Sequence, residues 1–189
     1  MEKNKMVPGI KSLPVIFAVV FLSSCISYYF EHPVPYDAKT VNEMPKILIG
    51  EWQGDGGKLI VNNNQWISVE TDSNGITVSK IEYALSDSLI IKRDDKRYFF
   101  NELNSNGFWS VYLGCQSDNL FLIKRLAKAD SLIFKNSIGL LPDSVSDNDF
   151  YYGGKLTKQA MQKFVDNGGF SDTLFKFNLK TRTVNQPNF

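Results

Sequence analysis

From residue 46 onward, polar turn signals cut the chain into short apolar runs, and this rhythm constrains the fold more than any other feature. Residues 58–61 follow Gly56-Gly57 and are closed by Asn62-Asn63-Asn64. Asparagine bonds its own backbone and tolerates the left-handed region, so such a run marks a turn. Residues 66–70 come next and are closed by Asp72-Ser73-Asn74-Gly75. Asn-Gly is the strongest short hairpin signal, and residues 76–83 resume β character. Short strands at even spacing predict an all-β fold, an antiparallel meander forming a barrel or a sandwich.

The same turn chemistry recurs. Ser86-Asp87-Ser88-Leu89-Ile90 is echoed by Ser117-Asp118-Asn119-Leu120-Phe121, by Ala129-Asp130-Ser131-Leu132-Ile133 and by Ser171-Asp172-Thr173-Leu174-Phe175. Asp and Ser seed a turn by bonding local backbone, and the apolar pair then enters a strand. The copies are unevenly spaced, so they are not a solenoid period. Residues 108–115 alternate: Trp109, Val111, Leu113 and Cys115 share one face, and Phe108, Ser110, Tyr112 and Gly114 share the other. Residues 120–123 suit a central strand and residues 173–179 a final one; the chain beyond Arg182 has little to bury and is expected to be loose. One accessory C-terminal helix is expected over residues 158–167. Thr157 caps its start, Gly168-Gly169 end it, and Leu156, Ala160, Met161, Phe164 and Val165 form the stripe that covers the sheet.

The N-terminal segment follows a different logic. Lys3, Lys5 and Lys11 precede an apolar run over residues 13–22, which ends in Leu22-Ser23-Ser24-Cys25. A helix needs roughly 20 apolar residues to span a bilayer, and this run is shorter. A basic start, a short apolar stretch and small residues describe a secretory signal. Leu22-Ser23-Ser24-Cys25 resembles the bacterial lipobox. The resemblance implies cleavage before Cys25 and acylation of that cysteine; an ordinary signal peptide or a short membrane anchor are the alternatives. Residues 1–24 are then a signal peptide, residues 25–45 a lipidated N-terminus and proline-containing tether (Pro33, Pro35, Pro45), and residues 46–189 the β-rich domain. Tyr28, Tyr29 and Phe30 would rest at the membrane interface, pack on the domain or be disordered.

Charge and chemistry narrow the function. Lys3, Lys5 and Lys11 against Glu2 give residues 1–24 a net +2, so of the whole chain's +1 the remainder carries −1. A near-neutral surface argues against nucleic acid as a partner. With Cys25 acylated, only Cys115 is left, so no internal disulfide forms. Cys115 lies on an apolar face and reads as a buried, unreactive thiol. His32, the one histidine, falls in the tether, and no nucleophile–base arrangement surrounds it. Gly56-Gly57-Lys58 resembles the end of a phosphate-binding loop, but Leu59 replaces Ser or Thr and Trp52 occupies the place of the first glycine. Asp143, Asp147 and Asp149 share a loop whose spacing misses the calcium-loop pattern, so no metal site is expected. No cofactor motif is present. Trp52, Trp66 and Trp109 are core residues or, alternatively, the lining of a pocket for an apolar ligand.

Gly50-Glu51-Trp52, before the first strands, resembles the Gly-x-Trp start of lipocalin-like barrels. Together with the lipobox and the tether, it makes the chain resemble small β-rich lipoproteins of Gram-negative envelopes. That resemblance implies lipid anchoring, in the outer membrane since Ile26 rather than Asp follows the cysteine, on the periplasmic side. The leading expectation is a non-catalytic interaction or structural module that meets an envelope partner. The alternative is a lipocalin-like carrier of a small apolar ligand, and a hydrolase using unrecognised carboxylates comes third. A Cys25→Ala change is expected to move the protein out of the membrane fraction and alter its electrophoretic mobility. A variant that stays membrane-bound with unchanged mobility overturns the lipidation expectation.

Overall fold

Asparagine, aspartate and glycine set the strand boundaries. Asn62 Oδ1 accepts from the N–H groups of Asn64 and Gln65 at 3.1 and 2.9 Å, and Asp95 and Asp118 adopt positive φ of 46° and 50° in two tight hairpins. The computed structural model describes residues 27–54, 57–71, 74, 76–146 and 148–185. Its strands are β1 (Ser27–Phe30), β2 (Lys39–Val41), β3 (Gly50–Gly54), β4 (Gly57–Val61), β5 (Gln65–Thr71), β6 (Thr77–Ala84) and β7 (Leu89–Asp94). They continue with β8 (Arg97–Leu103), β9 (Trp109–Ser117), β10 (Leu120–Arg125), β11 (Ser144–Ser146), β12 (Asp149–Tyr152), β13 (Asp172–Asn178) and β14 (Thr183–Asn185). The helices are α1 (Asp130–Ile133), continued by a wider π-type turn (Phe134–Ile138), and α2 (Lys158–Asp166).

The fold is all-β, as the turn rhythm predicts. Among the described residues the strands form one mixed sheet in the order β11-β12-β1-β9-β10-β13-β14-β3-β4-β5-β6, with β8, β7 and β2 added beside β9. Sequential hairpins are antiparallel; β1–β12 and β14–β3 are parallel. The sheet curls but does not close into a barrel, because β6 and β7 do not pair. β8 holds one edge of β7. The other is taken over Ile91, Lys92 and Arg93 by β2, leaving no ladder there for β6.

β2 belongs to the stretch expected to be a tether, and that expectation is corrected. From Ser27 onward the segment is part of the folded body: Tyr28, Phe30, Val34, Ala38 and Met44 are all buried. Buried Asn101 holds it. Its Oδ1 accepts from the Val34 N–H at 2.6 Å, and its Nδ2 donates to the carbonyls of Val34 and Phe99 at 2.9 and 3.0 Å. The side chain thus imitates a neighbouring strand. Asp37 then accepts from the Lys158 N–H at 2.6 Å, placing a carboxylate on the positive end of α2. Prolines in this segment shape a path over the sheet instead of a free spacer.

Both faces of the central strands are buried. Phe99, Val111 and Leu113 face a core with Phe30, Phe134, Tyr152, Phe164 and Phe170. Phe100 and Tyr112 face a second core inside the curl with Trp52, Trp66, Phe121 and Phe177. Gly114 faces the second core because a Cβ there would lie 2.7 Å from Phe100 and 2.9 Å from Phe121. α2 matches its expected position, with Thr157 Oγ1 accepting from the Ala160 N–H at 3.3 Å. Its Phe164 ring stacks on Phe134 at 4.0 Å.

Two further expectations fail. Asp130 does not seed a hairpin; it opens α1, where its buried Oδ2 accepts from the N–H groups of Ala127 and Ser171 at 2.7 and 3.2 Å. Helical geometry there brings Phe134 beneath α2, and burial of that ring is worth about 1.5–3 kcal/mol. The tail is not loose as far as Asn185: β14 pairs with β13 and β3, and Val184 is buried.

Two substitutions separate satisfied from unsatisfied polar groups. Asn101→Ala leaves both backbone groups of Val34 without their buried partner and is expected to destabilise by about 1–3 kcal/mol. The Tyr152 hydroxyl is buried with no partner among the described residues, so Tyr152→Phe is expected to be neutral or stabilising by up to about 1 kcal/mol. Urea denaturation of the two variants checks both signs.

Candidate functional site

The strands bring Trp66 of β5, Tyr83 of β6, Glu102 of β8, Tyr112 of β9 and Phe175 of β13 around a recess inside the curl. Its cavity volume is about 30 Å³, room for one water, where ligand pockets run about 300–1,000 Å³. Trp66 lines it, edge-on or tilted to Tyr83, Phe175 and Phe177 at centroid distances of 5.7, 5.2 and 5.3 Å. At the rim the Tyr112 hydroxyl donates to Glu102 Oε2 at 3.4 Å. Burial pushes the Tyr112 phenol well above its usual range, and the Glu102 charge adds to this; Tyr83 is raised by the same two causes. Of the two, the Tyr112 hydroxyl is held by its hydrogen bond to Glu102. They offer hydrogen bonds and no base.

The Gly50-Glu51-Trp52 motif opens β3. Trp52 is fully buried, and its Nε1 donates to the Leu48 carbonyl at 2.7 Å. The Arg182 guanidinium lies 4.5 Å from the Trp52 ring centroid and donates to the Ile49 carbonyl at 3.0 Å. Gly50, at φ 131°, makes room for it, since a Cβ would come within 2.8 Å of the guanidinium. Trp52 thus plugs one end of the curl. Trp109 is on the opposite face of the sheet, half-buried against the other core. The structure brings Trp52 and Trp66 together through Phe177 and leaves Trp109 apart.

The remaining candidates are placed as follows. Cys115 is half-buried, and burial pushes its thiol up, away from the reactive range. His32 meets Tyr36 edge-on at 5.9 Å. Lys58 pairs with Glu51 at 3.6 Å. Asp143 accepts from the Gly153 N–H, and Asp149 lies in β12. Among the described residues no group of three or more His, Cys, Asp or Glu could hold a metal ion, and no helix is long and apolar enough to cross a membrane. Cys25 and the lipobox, Gly56 and Asp147 lie outside the described residues.

Two surface features were missed in the sequence. An open groove of about 460 Å³ runs beside the β7–β8 and β9–β10 turns, lined by Ile47, Arg93, Lys96, Tyr98, Gln116 and Asp118 among others. Its residues come from three stretches, so no local motif could announce it. The second is β6, a terminal strand of the sheet: only β5 pairs with it among the described residues, and Val78 and Ile81 are exposed along it. Comparison of the chain with protein-family models, with curated proteins and with solved structures finds no match.

The raised phenols imply a sign for alkaline stability. Tyr28, pushed up to about 12 by burial and by Asp130, and Tyr83, Tyr112 and Tyr152, also raised by burial, hold their protons more tightly folded than unfolded. Unfolded phenols ionise near pH 10, so stability is fully present below about pH 10 and falls as pH rises beyond it. Denaturation midpoints across a pH series are expected to show this fall, with a shallower slope in Tyr112→Phe.

Proposed function

We propose that the chain is an envelope lipoprotein, anchored through acylated Cys25, that acts as a non-catalytic interaction module. The observation that carries this reading is the contrast between a filled interior, with a cavity of about 30 Å³, and an open sheet edge at β6. An exposed strand presents a row of N–H and C=O groups, and an extended segment of a partner can add to it, taking affinity from the main chain and specificity from flanking side chains. Val78 and Ile81, on that strand, supply apolar contacts. The lipobox resemblance of Leu22-Ser23-Ser24-Cys25 supports the lipid anchor, and Ile26 in place of Asp after the cysteine supports an outer-membrane location, for which the periplasmic side is the preferred face.

The second reading, a lipocalin-like carrier of a small apolar ligand, draws on Gly50-Glu51-Trp52 and on the aromatic lining around Trp66. It requires the curl to open, since a drug-sized ligand needs about ten times the present volume.

One experiment addresses both. A photo-crosslinking residue is placed at Val78 or Ile81 in cells, with exposed Lys163 on α2 as control, and the same protein is examined by native mass spectrometry. The expected outcome is a discrete adduct at the β6 positions, none at 163, and a protein mass free of ligand. Equal crosslinking at all three positions overturns the edge-strand reading. A stoichiometric apolar ligand in the mass spectrum replaces it with the carrier.

A further inference from the structure

Ser27 is already built into the sheet. Its N–H donates to the Asn148 carbonyl at 3.3 Å, and it stands in register with Asp149. The next residue, Tyr28, is buried, and its hydroxyl donates to the Ala127 carbonyl at 2.7 Å. Cys25 is two residues earlier in the chain. A fully extended chain advances at most about 3.6 Å per residue, so the Cα of Cys25 lies within roughly 7 Å of that of Ser27 in any conformation. An acylated Cys25 therefore brings the folded body itself to the interface, with no spacer to hold it off.

We propose that the end of the body around Ser27 is seated on the lipid bilayer, with Val145 and Leu132 as its apolar contacts; this rests on the acylation of Cys25. The strand register places Ser146 opposite Asp149 and Asp149 opposite Ser27, and in the next row Val145 opposite Phe150 and Phe150 opposite Tyr28. Neighbouring strands are about 4.8 Å apart, so Val145 lies about two strand widths from Tyr28 across the sheet. Val145 is 56% exposed although it belongs to a strand. The Tyr28 hydroxyl reaches the carbonyls of Ala127 and Lys128. α1 starts two residues beyond Lys128, and its Leu132 is 63% exposed. The part of the body nearest Ser27 thus carries two exposed aliphatic side chains, Val145 and Leu132, and exposed Lys128, a residue type that can lay its methylene stem on an interface with its ammonium among headgroups. Asp149 in the Ser27 row is engaged by Tyr151. Individually these aliphatic contacts are weak; held at a fixed point by the acyl chains, they act at high effective concentration and select one orientation.

The test uses full-length protein processed in cells, with Cys115→Ala as background. Val145→Cys, Leu132→Cys and, as a distant reference, Val78→Cys each carry an environment-sensitive fluorophore. Each protein is reconstituted into phosphatidylethanolamine–phosphatidylglycerol vesicles containing lipids brominated on their acyl chains. A blue shift and bromine quenching are expected at 145 and 132 and not at 78. A flexible Gly-Ser insertion between Ile26 and Ser27 is expected to abolish the quenching while the protein stays on the vesicles. Intact mass of the same preparations reports acylation. Acyl chains present with no quenching at 145 and 132 overturn the seating alone. A mass without acyl chains overturns the lipoprotein reading and the seating with it.

Discussion

The structure depends on strands β8 and β9 being apolar on both faces. Phe99 and Phe100 are neighbours in sequence and point into different cores, as do Leu113 and Tyr112. A strand buried on both sides demands two covers. The curl of the sheet itself provides one, folding β3, β4, β5, β13 and β14 round Trp52, Trp66 and Phe177. The other has to be assembled from elements outside the meander. β1, β12, the π-type turn after α1, and α2 supply it, and their aromatic rings pack on one another from Tyr28 through Phe134 to Phe164.

This demand explains why the N-terminal stretch is part of the body. The outer face of β8 needs cover, and Phe30 and Val34 provide it while Asn101 receives the backbone of Val34. Once that stretch crosses the sheet, its continuation β2 occupies the edge of β7. The failure of the sheet to close follows from the same recruitment that completes the second core. The free edge at β6 is the counterpart of the pairing gained at β2.

For function, the consequences are geometric. Aromatic side chains line the interior and leave a cavity of about 30 Å³, and the Tyr112 hydroxyl at its rim is held by Glu102. On the outside the fold leaves the β6 edge open and a groove beside Arg93 and Lys96.

Local chemistry was legible wherever one segment sufficed. Asn62, Asp118, Thr157 and Gly168 each act within a few residues, and the turns and the α2 boundaries follow from them. The alternation of residues 109–115 gave the two faces of β9 for the same reason, with Cys115 on the expected face but only half-buried. The sequence by itself determined an all-β body with one C-terminal helix, and a lipobox-like start. Only the tertiary structure decided that residues 27–45 belong to that body, that Asp130 opens a helix, that Val184 closes a strand ladder, and that the sheet stays open. Each of these turns on a partner distant in the chain: Asn101 for Val34, Ser171 for Asp130, Phe177 for Val184, β7 for β2. Propensity and spacing act over one or two turns of chain, whereas a buried polar group or a strand edge is satisfied by whatever the whole fold brings beside it.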